Sequence, residues 1–128
     1  MYLYLRSLFQ MEPRAKKIFG FSNSMDLSSP KAGLARQGML IHSKRMIGML
    51  DAAFGMLGPE HELLTEVLSQ LGERHARYGV KKEFFPVLGH ALMDALAQTL
   101  GDRWTYDTEE AWEIVFGEMS SDIIKSMP

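Results

Sequence analysis

Apolar residues along this chain recur three and four positions apart, the spacing of one face of an α-helix. No segment sustains the alternation of a half-buried strand. The pattern predicts a first helical piece over Tyr2 to Gln10, ended by Glu12-Pro13, and a short second piece over Arg14 to Phe19. Gly20 to Ser29 is polar and irregular and reads as a loop. Ser29-Pro30 offers a capping hydroxyl before a proline at the first helical position, which predicts a helix running to about Leu57. Gly58-Pro59-Glu60 ends it and opens the next, which reaches Tyr78-Gly79. Another helix is expected from about Lys81 to Leu100, stopped by Gly101. Thr105 or Asp107 opens the last, Asp107 and Glu110 standing at capping-box spacing. Trp112, Val115, Phe116, Met119 and Ile123 line one face of that helix. The fold class is therefore all-α, with four substantial helices and two short leading pieces.

Two of these apolar faces carry a histidine. His42, Met46, Met49 and Ala53 are spaced four, three and four, and so are Leu64, Leu68, Leu71 and His75. A lone histidine on such a face is usually a hydrogen-bonded core residue. Two of them, on consecutive helices joined by a Gly-Pro turn, can instead face each other across a gap, and both readings stay open on spacing alone. Haem iron suits the second, because it takes a neutral imidazole nitrogen in an otherwise apolar pocket. The ligand's other nitrogen then needs an acceptor, and the carbonyl of Leu71, one turn before His75, is the natural one. A zinc site would need three or four protein ligands. His61, at a helix start, and His90, pointing away from the face of Phe85, Leu88, Leu92 and Ala95, do not complete such a set.

Composition narrows the chemistry further. The chain has 128 residues, one domain's worth, and 46% of them are hydrophobic, enough to bury a real core. It has no cysteine, which excludes disulfides, thiolate metal sites and cysteine nucleophiles. A net charge of −2 provides no basic field for nucleic acid or anionic lipid. No apolar run reaches the roughly 20 residues that span a bilayer. The start, Met1 to Phe9, carries Arg6 and lacks the features of a signal peptide. A soluble cytoplasmic protein is the expectation. Ten methionines suit either a soft core or a core shaped around a large planar ligand.

Beyond periodicity, the stretch Leu71-Gly-Glu-Arg-His75-Ala-Arg-Tyr-Gly79-Val80 resembles the proximal helix of globins and the corner after it. Phe85-Pro-Val-Leu-Gly89-His-Ala-Leu92, Leu100-Gly-Asp-Arg-Trp-Thr105 and Glu110-Ala-Trp112 are similar to the later helices of neuroglobins and of single-domain bacterial and flavohaemoglobin-type globins. His42-Ser-Lys-Arg-Met-Ile-Gly-Met-Leu-Asp51-Ala-Ala53 resembles the distal helix, and Leu8-Phe9, Glu12-Pro13 and Phe19 the early helix and its corner. The resemblance runs in order over nearly the whole chain. It implies one globin domain over residues 1–128, a helical fold around a pocket for haem b, with the family's first helix missing ahead of Met1.

The resemblance also implies roles. His75 matches the proximal iron ligand and His42 the distal histidine, which either donates a hydrogen bond to bound gas or, as in neuroglobin-like members, ligates the iron itself. Phe19 matches the aromatic that stacks on haem, Met46 the distal residue that sets pocket size, and Leu5 the early-helix residue that caps the distal pocket. Leu71, Val80, Phe85 and Leu88 match proximal contacts. Arg45 matches a basic position that often meets a haem propionate, and a solvated surface charge is its equal alternative. The implied function is reversible binding of oxygen, carbon monoxide or nitric oxide, with oxygen transport among the roles. The alternatives are a haem enzyme (nitric oxide dioxygenase or nitrite reductase) fed by a separate reductase, a gas or redox sensor, and a haem-free interaction module. Monomer and homodimer are both open.

Overall fold

The structure, a computed structural model, describes residues 3–21 and 30–128. Helix α1 spans Leu3–Met11, and α2, the longest, Gly33–Met56. They are followed by α3 over His61–Arg77, α4 over Phe84–Leu100 and α5 over Tyr106–Lys125. Short 3-10 segments lie at Pro13–Phe19, Pro30–Ala32 and Gly101–Arg103. The architecture is all-α, and no strand occurs among the described residues. No helix is long and apolar enough to cross a membrane among these residues.

On α1, Tyr4, Leu5, Leu8 and Phe9 are all buried, one helical face laid onto α4. Pro13 lacks an N–H and cannot continue that helix. The 3-10 segment it opens ends on Gly20 at φ +87°, a conformation that glycine adopts without steric cost. There the Gly20 N–H donates to the Lys17 carbonyl and the Phe21 N–H to that of Lys16. The reversal brings Phe19 and Phe21 edge-on to Phe9, with ring centroids 5.6 and 5.8 Å apart. Such edge-to-face pairs suit the charge distribution of the rings.

One expected helix start shifts, and another is decided between its two candidates. The helix expected from Lys81 begins at Phe84, because Lys81–Glu83 form a turn closed by the Phe84 N–H on the Lys81 carbonyl. At α5 the cap is Thr105, not Asp107. Thr105 is extended, at φ −100° and ψ 167°, and its hydroxyl accepts from the Thr108 N–H. Asp107 is already inside the helix, where its charge suits the positive N-terminal end. The expected cap at Ser29 and most of the loop from Gly20 to Ser29 lie outside the described residues.

Helices α3 and α5 cross at Gly72 with their backbones in close approach. A β-carbon placed on Gly72 would collide with the carbonyl oxygen of Ile123 and the hydroxyl of Ser126. Only a residue without a side chain lets the two backbones approach so closely. The α4–α5 contact repeats this more mildly at Gly89, where a β-carbon would stand 3.0 Å from the Phe116 ring. Leu64 and Leu68 of α3, Phe84, Phe85, Ala91 and Leu92 of α4, and Met119 and Ile123 of α5 fill the core between these crossings.

Candidate functional site

His75 is held from three directions. Its Nδ1–H donates to the Leu71 carbonyl at 2.8 Å, one turn back on α3. A carbonyl can only accept, so this bond places the proton on Nδ1 and leaves Nε2 with a free lone pair. The carbonyl of His75 itself accepts the N–H of Val80 at 3.0 Å, while the Gly79 N–H donates to Ala76. Gly79, at φ +92°, makes this the six-to-one and five-to-two pairing of a Schellman end. The imidazole then lies against the Phe85 ring at 6.2 Å and the Tyr78 ring at 6.2 Å.

His42 comes from α2. Its Nδ1 pairs with the hydroxyl of Tyr4 at 3.3 Å, and its ring meets Phe19 edge-on at 5.2 Å. The two imidazoles face each other with centroids 6.3 Å apart and planes at 72°. Neither Nε2 has a hydrogen-bond partner among the described residues. Burial pushes the proton affinity of His42 down to a pKa of about 4, assisted by repulsion from His75 and then from Arg45. His42 is therefore neutral at ordinary pH, the state in which an imidazole can accept or ligate.

The remaining residues singled out from sequence distribute around this pair. Phe19, Met46, Leu71, Val80 and Leu88 are half-buried and pack against the core, and Phe85 is buried. Leu5 is buried in the core, and Arg45 is exposed on the outer side of α2. His61 and His90 are both exposed. No group of three or more potential metal-ligating side chains occurs among the described residues.

Sequence reasoning missed Tyr4 and Ser43. Tyr4 is only 3% exposed, and burial raises the pKa of its hydroxyl above 10.0, an effect the Ser43 hydroxyl partly offsets. Ser43, wholly buried, donates to the Met39 carbonyl at 2.9 Å. The signal for Tyr4 was present: a tyrosine within the apolar face of Leu5, Leu8 and Phe9 must find a partner for its hydroxyl. Which partner could not be read without knowing that α1 brings Tyr4 to His42 of α2.

Compared with known proteins, residues 3–123 match the sequence model of the Globin family. The chain is a globin. Membership brings haem binding and gas binding in general as the family's property. This globin is 25% identical over 125 residues to leghemoglobin of Psophocarpus tetragonolobus, covering 97% of this chain and 80% of that one. It is 26% identical over 125 residues to leghemoglobin alpha of Phaseolus vulgaris, with the same shares covered. Among solved structures, the closed form of the HGbRL globin domain is 26% identical, with a TM-score of 0.45, covering 97% of this chain and 78% of that one. An imidazole that is to hold haem iron needs an unprotonated nitrogen, here in an apolar surround. His75, with Nδ1 committed to Leu71 and with Phe85 beside it, fits that requirement.

Proposed function

We propose that this globin binds haem b between His42 and His75 and holds a diatomic gas reversibly there, with His75 as the protein ligand of the iron. The observation that carries this reading is the facing pair of imidazoles, each with Nδ1 engaged and Nε2 turned to no protein partner. Bound haem supplies a ferrous iron able to take oxygen, carbon monoxide or nitric oxide. His75 presents a lone pair whose direction is fixed by the Leu71 carbonyl. Phe19, Met46, Leu71, Val80, Phe85 and Leu88 supply apolar walls that keep water from the site, with Leu5 in the core behind them. Arg45, exposed beside His42, offers a cation to a propionate. Oxygen is the ligand this reading favours, since His42 can donate to a polar gas.

The direction of the bond between Tyr4 and His42 sets what His42 can do. If the tyrosine hydroxyl donates to Nδ1, the imidazole proton sits on Nε2 and can be donated to bound gas. If Nδ1–H donates to the tyrosine oxygen, Nε2 has a lone pair and can itself ligate. The 6.3 Å between ring centroids favours a second reading in which it does so before gas arrives. With both Nε2 atoms unpartnered among the described residues, His42 and His75 would be the two side chains to hold the iron in that reading.

The test is the visible spectrum of the purified chain with haem added, ferric and then ferrous. Split, sharp ferrous bands before any gas mean that His42 ligates, and one broad band means an open sixth position. His75→Ala is expected to abolish either spectrum. Absence of any Soret band beyond that of free haem would sink the reading.

A further inference from the structure

His42 and His75 differ in what holds Nδ1. For His75 it is the Leu71 carbonyl, which only accepts, so one tautomer is fixed. For His42 it is the Tyr4 hydroxyl, 3.3 Å away, which can accept or donate. The tautomer of His42 therefore depends on where Tyr4 sends its one proton. Tyr4 has a second neighbour able to take it. Its hydroxyl shares a side-chain hydrogen bond with Ser43, the residue next to His42 on α2. Ser43 is wholly buried, and its own proton is spent on the Met39 carbonyl at 2.9 Å. Towards Tyr4 the serine oxygen can therefore only accept.

Resting on the reading of His42 and His75 as the two sides of a haem site, we propose that Ser43 is a positioning residue that, through Tyr4, holds His42 in its iron-ligating tautomer until gas arrives. The protons allow two arrangements. In the first, Nδ1–H of His42 donates to Tyr4, Tyr4 donates to Ser43 and Ser43 donates to Met39. Every donor in this line is satisfied, and Nε2 is left with a lone pair. In the second, Tyr4 turns its hydrogen to Nδ1, and the imidazole proton sits on Nε2. That proton has no acceptor among the described residues, and the Ser43 oxygen loses its donor. A buried donor without a partner is costly, so the empty site favours the first arrangement. Gas in the site supplies the missing acceptor and favours the second. The exchange takes up no net proton: one proton moves between the imidazole nitrogens and one O–H bond rotates. A mid-helix serine that bonds the carbonyl four residues back is commonly only a local contact. Ser43 differs because Tyr4 engages it as well, whereas the buried hydroxyl of Ser120 has no partner among the described residues.

Nuclear magnetic resonance of isotope-labelled imidazole nitrogens reads the tautomer directly in the full chain before haem is added. His42 is expected to carry its proton on Nδ1, and Ser43→Ala to move it to Nε2 with helix content unchanged by circular dichroism. In the ferrous haem-loaded chain, Ser43→Ala is expected to lower the ratio of His42-ligated to open iron about fivefold, as read from carbon monoxide rebinding after flash photolysis. In a Tyr4→Phe background the same substitution is expected to change nothing, because the link to His42 is gone. A His42 tautomer indifferent to Ser43→Ala, or an equal loss of ligation with and without the Tyr4 hydroxyl, overturns the proposal. A chain that takes up no haem sinks the haem reading instead, and the tautomer measurement still decides whether Ser43 acts on His42.

Discussion

The two helices that bring the histidines together are built in opposite ways. Helix α3 meets α5 backbone to backbone at Gly72, and its end is locked by Gly79 and Val80. His75 stands between these two fixed points. Helix α2 is longer, yet a β-carbon on Gly38, Gly48 or Gly55 would meet nothing within 4 Å, and its apolar residues spread round the helix instead of gathering on one face. His42 is held there by one hydrogen bond to Tyr4 and the edge of Phe19. One side of the site is set by main-chain geometry, and the other is suspended from side chains. A ligand that must be placed within a fraction of an ångström belongs on the first. A group that must adjust to what occupies the gap belongs on the second.

The sharpest way to break this contrast is at Gly72. Gly72→Val forces a branched side chain into the Ile123 carbonyl, and the expected loss is about 3 kcal/mol or more in urea unfolding. Near-normal stability would show that α3 and α5 can separate freely, and the asymmetry would vanish.

Next comes pH. In the chain before haem is added, His42 binds its proton at about 4 when folded and near 6.5 when unfolded. Between those values the unfolded state holds more protons, so stability falls as pH drops from about 6.5 to about 4 and is flat with respect to this group beyond either end. The shift corresponds to roughly 3 kcal/mol, with His42→Phe expected to flatten the slope in that window. An unchanged slope in the variant would mean that His42 is not held neutral by its surroundings.

A smaller effect tests the suspended side directly. In the haem-loaded protein the proposed role of His42 as donor to the gas gives it a hydrogen bond worth about 1.5–3 kcal/mol when one partner carries charge, and His42→Leu removes it. The oxygen off-rate should rise by one to two decades and the carbon monoxide off-rate by less, as read by stopped flow or flash photolysis. Equal changes for the two gases would remove His42 as a donor. Smallest of all, Gly38→Ala on α2 should raise stability by about 0.5–1 kcal/mol, since it adds helix propensity in open space. Destabilisation there would mean that α2 is more closely covered than its surroundings indicate.

Much of the helical skeleton could be read from periodicity, because each helix advertises its buried face locally. The spacing of Leu64, Leu68, Leu71 and His75 already implied the bond from His75 to the Leu71 carbonyl, since both ends lie one turn apart on one helix. What could not be read depends on long-range approach. Gly72 looks like a weak point in a helix until α5 is known to cross it, and Tyr4 is one aromatic among several until its hydroxyl is seen to meet His42. The choice of Thr105 over Asp107 as cap turned on a single extended backbone conformation, and both residues have suitable side chains.

The double tether of His75 also has a mechanical consequence. The ring is stayed by Leu71 on one side, and the residue's carbonyl is stayed by Val80 on the other. Swinging the ring breaks the first stay, and sliding the residue along the helix breaks the second. A pull applied at Nε2 therefore has little slack to take up locally. Whatever moves the ring along α3 must also strain the corner from Tyr78 to Val80.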